Sequence, residues 1–325
     1  MIDIKQTTSD LTLVDRLDHL AARLAIRRMR HRIAPGLYKL EDPGPDSPVF
    51  VTANYTLSFD ALRSSLKGID GYILVLDTKG INVWCAAGKG TFGTDELLKR
   101  IDESKLKDVV NHRKLILPQL GAPGVAAHTI RERSGFRVEY GPVRTSDLPE
   151  YLKTRKASPE MRRVRFNFGD RFILTGVEFV QILLPMMVLG ILMYLVGGVI
   201  FSAAIVVSIF AGRILFPLLL PLIPTPNFST KGFFLGTIVA MPFMVLKFLE
   251  QADLPLWIRL GWAAVLLLSM TAITSFMALN FTGSTVFTSR SGVEREIFRY
   301  FPVMTWMAVA SLIGLVALNL IQLFR

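Results

Sequence analysis

The feature that most constrains this chain is a run of 34 residues without a charged side chain, between Glu178 and Arg213. As one helix, the run would extend about 50 Å at a rise of about 1.5 Å per residue. The hydrocarbon core of a bilayer is only about 30 Å thick. The sequence therefore predicts a tight hairpin of two apolar helices that turns near Gly197 and Gly198.

Three further apolar segments follow this run, at residues 232–247, 255–280 and 301–323. Backbone groups inside a bilayer must find hydrogen bonds within their own segment, so apolar segments of this length are expected to be helices. With the hairpin, whose first helix begins near Phe172, they predict an all-α multi-pass transmembrane domain of about five helices in residues 166–325. A four-pass arrangement with one re-entrant segment fits the same pattern.

The charged residues are concentrated before the apolar half. Residues 1–171 hold 29 of the 37 Lys and Arg residues and 21 of the 26 Asp and Glu residues. The densest basic run, residues 152–166, directly precedes the first apolar segment, where Lys and Arg favour the cytoplasmic side. This placement argues against a nucleic-acid partner and favours membrane lipid. We therefore expect a multi-pass protein of the cytoplasmic (inner) membrane whose N-terminal domain, residues 1–165, lies in the cytoplasm.

The loops between the apolar segments carry charges that orient the chain. The loop near 224–231 and the stretch 288–300, which contains three arginines, are expected on the cytoplasmic side. The charge-balanced loop 247–259 is expected on the outer side. Glu178 and Arg213 are the ionisable candidates inside the apolar half, and each is expected to reach the membrane interface from a helix end. The membrane half is therefore interpreted as an anchor.

The N-terminal half alternates between strand-like and helix-like patterns. Residues 71–80 form a short, continuously apolar segment that ends in turn residues, as buried parallel strands do. Strand and helix patterns also alternate in residues 47–66 and 112–152, which predicts an α/β, Rossmann-like domain with a parallel sheet. Ligands of such sheets bind at the carboxyl ends of the strands. The loops expected there, which are poor in acids and suit a large, flat, amide-bearing ligand, are residues 52–54, 77–89, 118–124 and 140–144.

Common signatures of nucleotide and metal sites are missing from the sequence. Neither Gly-x-Gly-x-x-Gly nor Gly-x-x-x-x-Gly-Lys-Ser/Thr occurs, and the Gly-rich stretch GKGTFG at 88–93 follows a predicted helix instead of a strand. The four histidines are scattered, without the paired spacing of a zinc site. The sequence therefore predicts neither a phosphate-binding loop nor a zinc centre.

Cys85 is the only cysteine in the chain and lies in the motif NVWCAAGK, residues 82–89. One thiol excludes an intramolecular disulfide. In a helix, Asn82, Cys85 and Lys89 would share one face, and the N–H groups of the first turn would stabilise a thiolate. The small residues after the cysteine would let a broad planar ligand press against the helix. A free cysteine is also often a small buried hydrophobe, so the pattern leaves both interpretations open.

The motif NVWCAAGK resembles the cap-helix motif of the mercury-methylating corrinoid membrane proteins, the larger component of the mercury methylation system. Four other segments, PGLY, SPVFVTANYTLSFDALR, LPQLGAPGVAAH and GPVR, are similar to the corrinoid domain in the large subunit of the corrinoid iron–sulfur protein. This resemblance covers about residues 33–152. An apolar multi-pass half behind that domain resembles the mercury-methylation family and not the soluble subunit.

The resemblance implies a cobamide (corrinoid) cofactor, with Cys85 as the lower axial ligand of its cobalt and as the catalytic residue. The other residues of the implied cap helix beneath the corrin ring are Asn82, Val83, Trp84, Ala86, Ala87, Gly88 and Lys89. The loop residues expected to enclose the ring and its lower tail are Thr52, Asn54, Gln119, Leu120, Gly121, Gly141, Pro142 and Val143. The Asp-x-His-x-x-Gly motif of many other corrinoid proteins does not occur, which leaves the lower face of the cobalt to Cys85.

The implied activity is methyl transfer from a methyltetrahydrofolate-derived donor, by way of methylcob(III)amide, to Hg(II). The implied partners are a methyl-donor methyltransferase and a ferredoxin-like electron donor with two four-iron–four-sulfur clusters. A membrane-anchored corrinoid methyl carrier of one-carbon metabolism would share every motif. A non-catalytic cobamide-binding or uptake module is a third interpretation, and it would not need the thiol for methyl transfer.

Overall fold

The chain, of which the computed structural model describes residues 4–27, 30–284 and 290–324, divides into two units. The first unit comprises Met1–Arg165 and the second comprises Phe166–Arg325. Strands and helices alternate in the first unit, whereas the described part of the second unit is helical.

The centre of the first unit is a six-stranded sheet. Its strands are β1 (Ile4–Thr7), β2 (Gly36–Leu40), β3 (Val49–Ala53), β4 (Gly71–Leu76), β5 (Lys114–Leu117) and β6 (Arg137–Tyr140). The helices around it are α1 (Leu13–Arg23), α2 (Thr56–Ser65), α3 (Val83–Lys89), α4 (Thr94–Glu103), α5 (Leu106–Val109), α6 (Ala127–Ser134) and α7 (Leu148–Thr154). The strand order is β1-β2-β4-β3-β5-β6. β3, β4, β5 and β6 are parallel, whereas β2 is antiparallel to β4 and parallel to β1.

β3 is the strand at which the chain changes direction across the sheet. α2 connects β3 to β4 on one side, and the helices after β4 return the chain to β5 on the other side of β3. In open α/β sheets the crevice at such a switch point, at the carboxyl ends of the strands, is the usual ligand site. The predicted Rossmann-like α/β fold is confirmed, and it places the ends of β3 and β5 side by side.

Alternating side chains along β3 and β4 build a hydrophobic core on each face of the sheet. Val51 and Leu74 pack with residues of α3, α4 and α6, whereas Phe50 and Ile73 pack with residues of α2 and α7. Every residue of β4 is buried, as the apolar pattern of residues 71–80 predicts. β1 and β2 were not predicted from the sequence, because each is short and includes a lysine that weakens its apolar pattern.

The second unit is built from long apolar helices. α8 (Phe168–Phe210) continues through a π-helical turn (Ala211–Leu215) into α9 (Phe216–Leu219), and is followed by α10 (Phe228–Glu250), α11 (Leu256–Asn280) and α12 (Arg290–Leu323). Among the described residues, four helical segments are long and apolar enough to cross a membrane: residues 168–219, α10, α11 and α12. The predicted all-helical, membrane-type domain is therefore confirmed, while the number of crossings and their orientation stay predictions.

The first of these segments is a hairpin. Gly198 interrupts the helix with φ 75° and ψ −165°, a left-handed φ that suits glycine. The two arms then pack together, since a Cβ on Gly190 would lie 3.2 Å from Cγ2 of Val206. Nearer the open end, Arg213 Nη1 donates to Glu178 Oε2 at 2.8 Å. The predicted turn near Gly197 and Gly198 is thus confirmed.

Glu178 and Arg213 form an ion pair with each other, which corrects the prediction that each extends separately to the interface. The two side chains are 11% and 24% exposed, and Arg213 Nε also donates to the sulfur of Met277 at 3.3 Å. An unpaired charge in an apolar environment is costly, so the hairpin geometry that brings the two groups together also neutralises both.

Small residues allow α10 and α11 to pack closely. A Cβ on Gly232 would lie 2.5 Å from Cα of Ser275, and one on Gly236 would lie 2.7 Å from Cα of Thr271. Ser275 Oγ also donates to the carbonyl of Ser229 at 2.8 Å. Small residues and interhelical hydrogen bonds of this kind hold membrane helices together, because lipid provides no hydrophobic driving force.

The stretch 288–300, predicted as a loop, is helical over residues 290–300, while 288 and 289 lie outside the described residues. Side chains of this part of α12 anchor it to the start of α10. The Glu296 carboxylate accepts the backbone N–H of Ser229, and the Asn227 amide donates to the hydroxyl of Tyr300 at 2.9 Å. A carboxylate at a helix N-terminus is stabilised by the free N–H groups there, so the polar stretch becomes helix instead of loop.

Replacing Glu178 with Gln should leave Arg213 without its counter-charge and destabilise the hairpin. We expect a loss of about 2 kcal/mol, below the cost of about 3–5 kcal/mol for a fully buried pair, because both groups are partly exposed. Thermal unfolding of the full chain in mild detergent measures the change. Glu178→Gln combined with Arg213→Met should lose less than the two single variants together.

The matched control is Glu250→Gln, which removes the pair between Lys247 and a carboxylate that is 53% exposed. An exposed pair contributes at most about 1 kcal/mol. Equal losses for Glu178→Gln and Glu250→Gln would contradict the assignment of a stabilising pair within the hairpin.

Candidate functional site

A pocket of about 470 Å³ lies at the switch point, beside the carboxyl ends of β3 and β5. Its wall combines the two strands, the first turns of α2 and α3, and the loop after β6. The residues that line it are Phe50, Val51, Thr52, Leu57, Ser58, Ala61, Leu62, Asn82, Val83, Trp84, Ile116, Leu117, Pro118, Leu120, Pro142, Val143, Arg144, Thr145, Ser146 and Leu148. The lining is mostly apolar, and Arg144 is its one ionisable side chain among these described residues.

α3 begins at the edge of this pocket and carries Cys85. Asn82 is its N-cap, and the Asn82 Oδ1 atom accepts the backbone N–H of Cys85 at 2.9 Å. Gly90 ends the helix in the left-handed conformation, with φ 81°. The backbone amide of Cys85 therefore has a partner in the Asn82 side chain.

The two faces of α3 differ in character. Asn82, Trp84, Cys85, Gly88 and Lys89 are exposed, and Trp84 is 44% exposed despite its size. A Cβ added to Gly88 would meet no atom within 4 Å, so the surface beside it is open. Cys85 is thus an exposed free thiol and not a buried hydrophobe. An exposed thiol, an exposed indole and an open glycine therefore lie together on the outer face of α3, whose first residues line the pocket.

The other face of α3 packs into the core of the first unit. Ala86 is fully buried, Ala87 is 6% exposed and Val83 is 8% exposed. Val83 also lines the pocket, whereas Ala86 and Ala87 pack against core residues of the sheet. Ala86 and Ala87, which the resemblance includes in the cap helix, thus pack under that helix in the core of the first unit.

Asn54, which follows β3, holds the turn that leads into α3. Its Oδ1 accepts the backbone N–H of Thr78 at 3.0 Å, the Thr78 hydroxyl at 2.9 Å and the N–H of Gly80 at 2.9 Å. Its Nδ2 donates to Asp77 Oδ1 at 3.1 Å. Asn54 is only 3% exposed and its bonds are internal, so it positions the turn and is not one of the residues that line the pocket. Thr52, two residues earlier, does line it.

The loop after β5 fits closely against the end of α3. A Cβ on Gly121 would lie 2.5 Å from the ring of Phe92, and one on Gly124 would lie 2.1 Å from the Phe92 carbonyl. These contacts explain the two glycines by close approach. Gln119 Oε1 accepts a hydrogen bond from Arg162 at 2.9 Å, whereas Leu120 lines the pocket. Of the three residues predicted in this loop, the structure therefore brings only Leu120 to the pocket wall.

The hydroxyl group of Tyr140, at the end of β6, supports this loop by donating to the carbonyl of Val125 at 2.7 Å. Burial raises the pKa of Tyr140, so the phenol keeps the proton that it donates. The sequence pattern gave no sign of this tie, because it joins two segments that are distant along the chain.

The loop after β6 forms the remaining wall. Pro142 and Val143 line the pocket as predicted, while Gly141 is buried, with a Cβ position 3.3 Å from Ile116. Val143 N–H donates to the carbonyl of Met161 at 2.8 Å, which fixes the loop. Wall residues that the sequence reasoning missed include Arg144, Thr145 and Ser146 in this loop and Leu57, Ser58 and Ala61 in α2. The signal for the loop group was the pair of small hydroxyl side chains, Thr145 and Ser146, that follows the predicted loop 140–144.

In the described part of the chain, no group of three or more His, Cys, Asp and Glu side chains is placed to hold a metal ion. Cys85 is a single soft donor on the exposed face of α3, beside a mostly apolar pocket.

These features define the class of the protein: an α/β ligand-binding domain with its pocket at the topological switch point, joined to helices of membrane-spanning length. Comparison with known proteins relates the first unit to a described family. Residues 27–152 match the family described as CO dehydrogenase/acetyl-CoA synthase delta subunit. This range includes the six-residue strand β4, α3 and the whole pocket wall described above.

Individual relatives agree with that match. The gamma subunit of the acetyl-CoA decarbonylase/synthase complex of Archaeoglobus fulgidus is 36% identical over 124 residues, which are 38% of this chain and 26% of the relative. The corresponding subunit of Methanopyrus kandleri is 34% identical over 128 residues, or 39% and 27% of the two chains. The chain thus spans about a quarter of the length of these relatives. The predicted similarity of the N-terminal domain to a subunit of acetyl-CoA synthesis is supported.

Replacing Asn54 with Ala should destabilise the first unit and loosen the turn before α3. The backbone N–H groups of Thr78 and Gly80 would lose a buried acceptor, which costs about 2 kcal/mol or more. Thermal unfolding of the full chain measures the loss. The matched control is Asn111→Ala, because the Asn111 amide makes an exposed bond to Asp46. A change for Asn54→Ala no larger than that for Asn111→Ala would contradict the assigned role.

Proposed function

We propose that the first unit binds a cobamide and that Cys85 is the lower axial ligand of its cobalt. The observation that carries the proposal is an exposed lone thiol on α3, the helix whose first residues line the switch-point pocket. The resemblance of NVWCAAGK to the cap-helix motif of corrinoid proteins supports the same residue. The match to a family of acetyl-CoA synthase subunits supports the choice of cofactor class.

The residues at the site fit such a group. The open surface at Gly88 lets a planar ring approach the helix, and Trp84 and Cys85 offer apolar and soft contacts on the same side. The pocket beside them is too small for a whole cobamide and suits its lower tail. Arg144 is the ionisable residue of the wall, and its positive charge would favour the phosphate of that tail.

The role of each residue follows from its position. A bound cobamide supplies a cobalt centre that can accept and release a methyl group. Cys85 would act as a soft thiolate donor that raises electron density at the metal. Asn82 fixes the start of α3 and so the height of the thiol above the pocket. Thr52, Leu120, Pro142 and Val143 would enclose the tail and exclude water.

The activity that we propose is methyl transfer from a methyltetrahydrofolate-derived donor to Hg(II), which gives methylmercury. A strongly donating thiolate favours release of methyl as a carbanion or radical equivalent, the form that a soft electrophile such as Hg(II) accepts. The chain provides no iron–sulfur cluster ligands of its own, since Cys85 is its only cysteine. We therefore infer a ferredoxin-like partner with two four-iron–four-sulfur clusters as electron donor and a separate methyltransferase as source of the methyl group.

We further propose that the protein resides in the cytoplasmic membrane with its N-terminal domain in the cytoplasm. The four apolar helical segments support a membrane location, and the basic run before α8 supports the orientation. This side gives the site access to a soluble electron donor and to folate-bound methyl groups.

A second candidate is a membrane-anchored corrinoid methyl carrier of one-carbon metabolism. The comparisons favour it specifically, because the relatives are named as subunits of the acetyl-CoA decarbonylase/synthase complex and not for mercury. Both candidates use Cys85 in the same way and differ in the acceptor of the methyl group.

Replacing Cys85 with Ala should abolish methylmercury formation and change the absorption and electron paramagnetic resonance spectra of bound cobamide. The reason is loss of the sulfur ligand, while the pocket remains intact. The measurement is anaerobic reconstitution of the full chain with cobamide, a reduced ferredoxin and a methyl donor, followed by assay of methylmercury.

Lys99→Ala, on the exposed face of α4, is the control for this assay and should leave both spectra and rate unchanged. Full activity of Cys85→Ala, or a cobalt spectrum that does not depend on Cys85, would rule out the ligand assignment. A wild-type chain that passes methyl to an acetyl-CoA-forming acceptor but not to Hg(II) would favour the second candidate.

Replacing Gly88 with Leu should block the approach of a planar ligand without damaging the fold. Open space surrounds the Gly88 Cβ position, and Leu in a helix is about 0.8 kcal/mol more favourable than Gly. We expect unchanged or slightly higher thermal stability together with weaker cobamide binding, measured by spectroscopic titration. Gly44→Leu, which also enters open space but lies outside the site, should affect neither quantity. Wild-type cobamide affinity in Gly88→Leu would contradict a ring seated on α3.

A further inference from the structure

The outward face of α1 is an exposed apolar stripe outside the proposed cofactor site. Leu13, Val14, Leu17 and Leu20 are 72%, 74%, 57% and 55% exposed. Leu13, Leu17 and Leu20 follow the i, i+4, i+7 spacing of one helical face. Ile26, just after the helix, is 50% exposed as well. A row of large apolar side chains with this exposure marks an interaction surface.

The opposite face of α1 is fixed to the first unit by its acidic residues. Asp15 accepts a bond from Arg63 Nη2 at 2.8 Å, and Asp18 Oδ1 lies 2.7 Å from Nδ1 of the buried His31. Burial on its own would raise the pKa of Asp15, but hydrogen bonds from Thr12 and Arg63 outweigh it and lower the pKa. The helix is therefore held with its apolar stripe outward.

The charges left on the outward side are positive. Both carboxylates of α1 have internal partners, and Arg16, Arg23, Arg27 and Arg30 are exposed. Among the described residues, these four arginines form no ion pair. The outward surface of this segment thus combines apolar side chains with uncompensated positive charge. A suitable partner carries anionic groups at its surface and has an apolar interior.

We propose that α1 lies in the interface of an anionic lipid bilayer, with its leucine stripe among the acyl chains and its arginines at the lipid phosphates. A basic helix with one apolar face binds such an interface at a depth of about 5–10 Å. The bilayer is the occupant that the chain itself brings near, because Arg165 directly precedes a unit with four helical segments of membrane-spanning length. Because α1 and these helical segments belong to one chain, the effective concentration of the bilayer near α1 would be high and would favour the contact.

The contact would lie close to the candidate site. Asp60 and Arg63 of α2 face α1, whereas Leu57 and Ala61 of the same helix line the pocket. Two helices, α1 and α2, each about 10 Å in diameter, therefore separate the lipid-binding stripe from the pocket. The inference itself does not depend on which cofactor the pocket holds.

A spin label on α1 tests the proposal in the full-length protein. In a Cys85→Ala background, Leu17→Cys provides a single labelling site on an exposed side chain. We expect the label to lie about 5–10 Å below the lipid phosphates in nanodiscs of phosphatidylcholine with phosphatidylglycerol, as measured by oxygen and nickel-chelate accessibility. A label at Glu103→Cys on α4 should stay accessible to water.

The variants Arg16→Gln and Arg23→Gln should each weaken the contact with anionic lipid. In each variant, the ratio of lipid-buried to water-exposed Leu17 label should fall about fivefold.

Three results would overturn the proposal. Water accessibility of the Leu17 label in both anionic and neutral nanodiscs would show that the stripe does not enter lipid. Low accessibility of the label to both oxygen and the nickel chelate would show that protein covers the stripe, because oxygen enters acyl chains and the polar chelate does not. Protection that appears only as protein concentration rises would show that a second copy covers it.

Discussion

One buried amide holds together the parts of the candidate site. Asn54 lies where β3 ends, and its side chain accepts the backbone N–H groups of Thr78 and Gly80 in the turn that follows β4. These bonds join the parallel strands β3 and β4 beyond the last residues that pair within the sheet. α3 starts from that turn, so the position of α3 and of its Cys85 depends on hydrogen bonds made by the residue directly after β3. A buried amide with satisfied bonds is rigid, and this rigidity suits a site whose thiol must meet a metal at a fixed distance.

Much of the architecture was predictable from the sequence because it depends on local pattern. The uncharged run ahead of Arg213 required a turn, and only glycine accepts the φ of 75° found at Gly198. Helix-like and strand-like periods in residues 47–152 indicated a parallel α/β sheet. β1 and β2 escaped detection, since their positions depend on pairing with distant strands. The Glu178–Arg213 pair was also missed, because its two members lie 35 positions apart.

The candidate site was predictable to a different degree in each part. The exposed side of α3 followed from helical spacing in NVWCAAGK, and the loops at the strand ends followed from topology. The roles of individual residues did not follow, because Asn54, Gln119 and Ala86 are used for positioning or packing that only the folded chain reveals. The wall formed by α2 was missed because only the folded chain shows which face of that helix is turned toward the pocket.

The ion pair within the α8 hairpin has a consequence for how the protein is made. Each arm contributes one member of the pair, and a lone charge at the centre of a helix raises its insertion free energy by about 2.5–3.5 kcal/mol. When the two arms pair before they enter lipid, Glu178 and Arg213 neutralise each other and no lone charge has to enter the bilayer. The hairpin is thus suited to insert into the bilayer as a unit during synthesis. Insertion of this kind requires that Arg213 leave the ribosome before the first arm, with Glu178, enters the lipid.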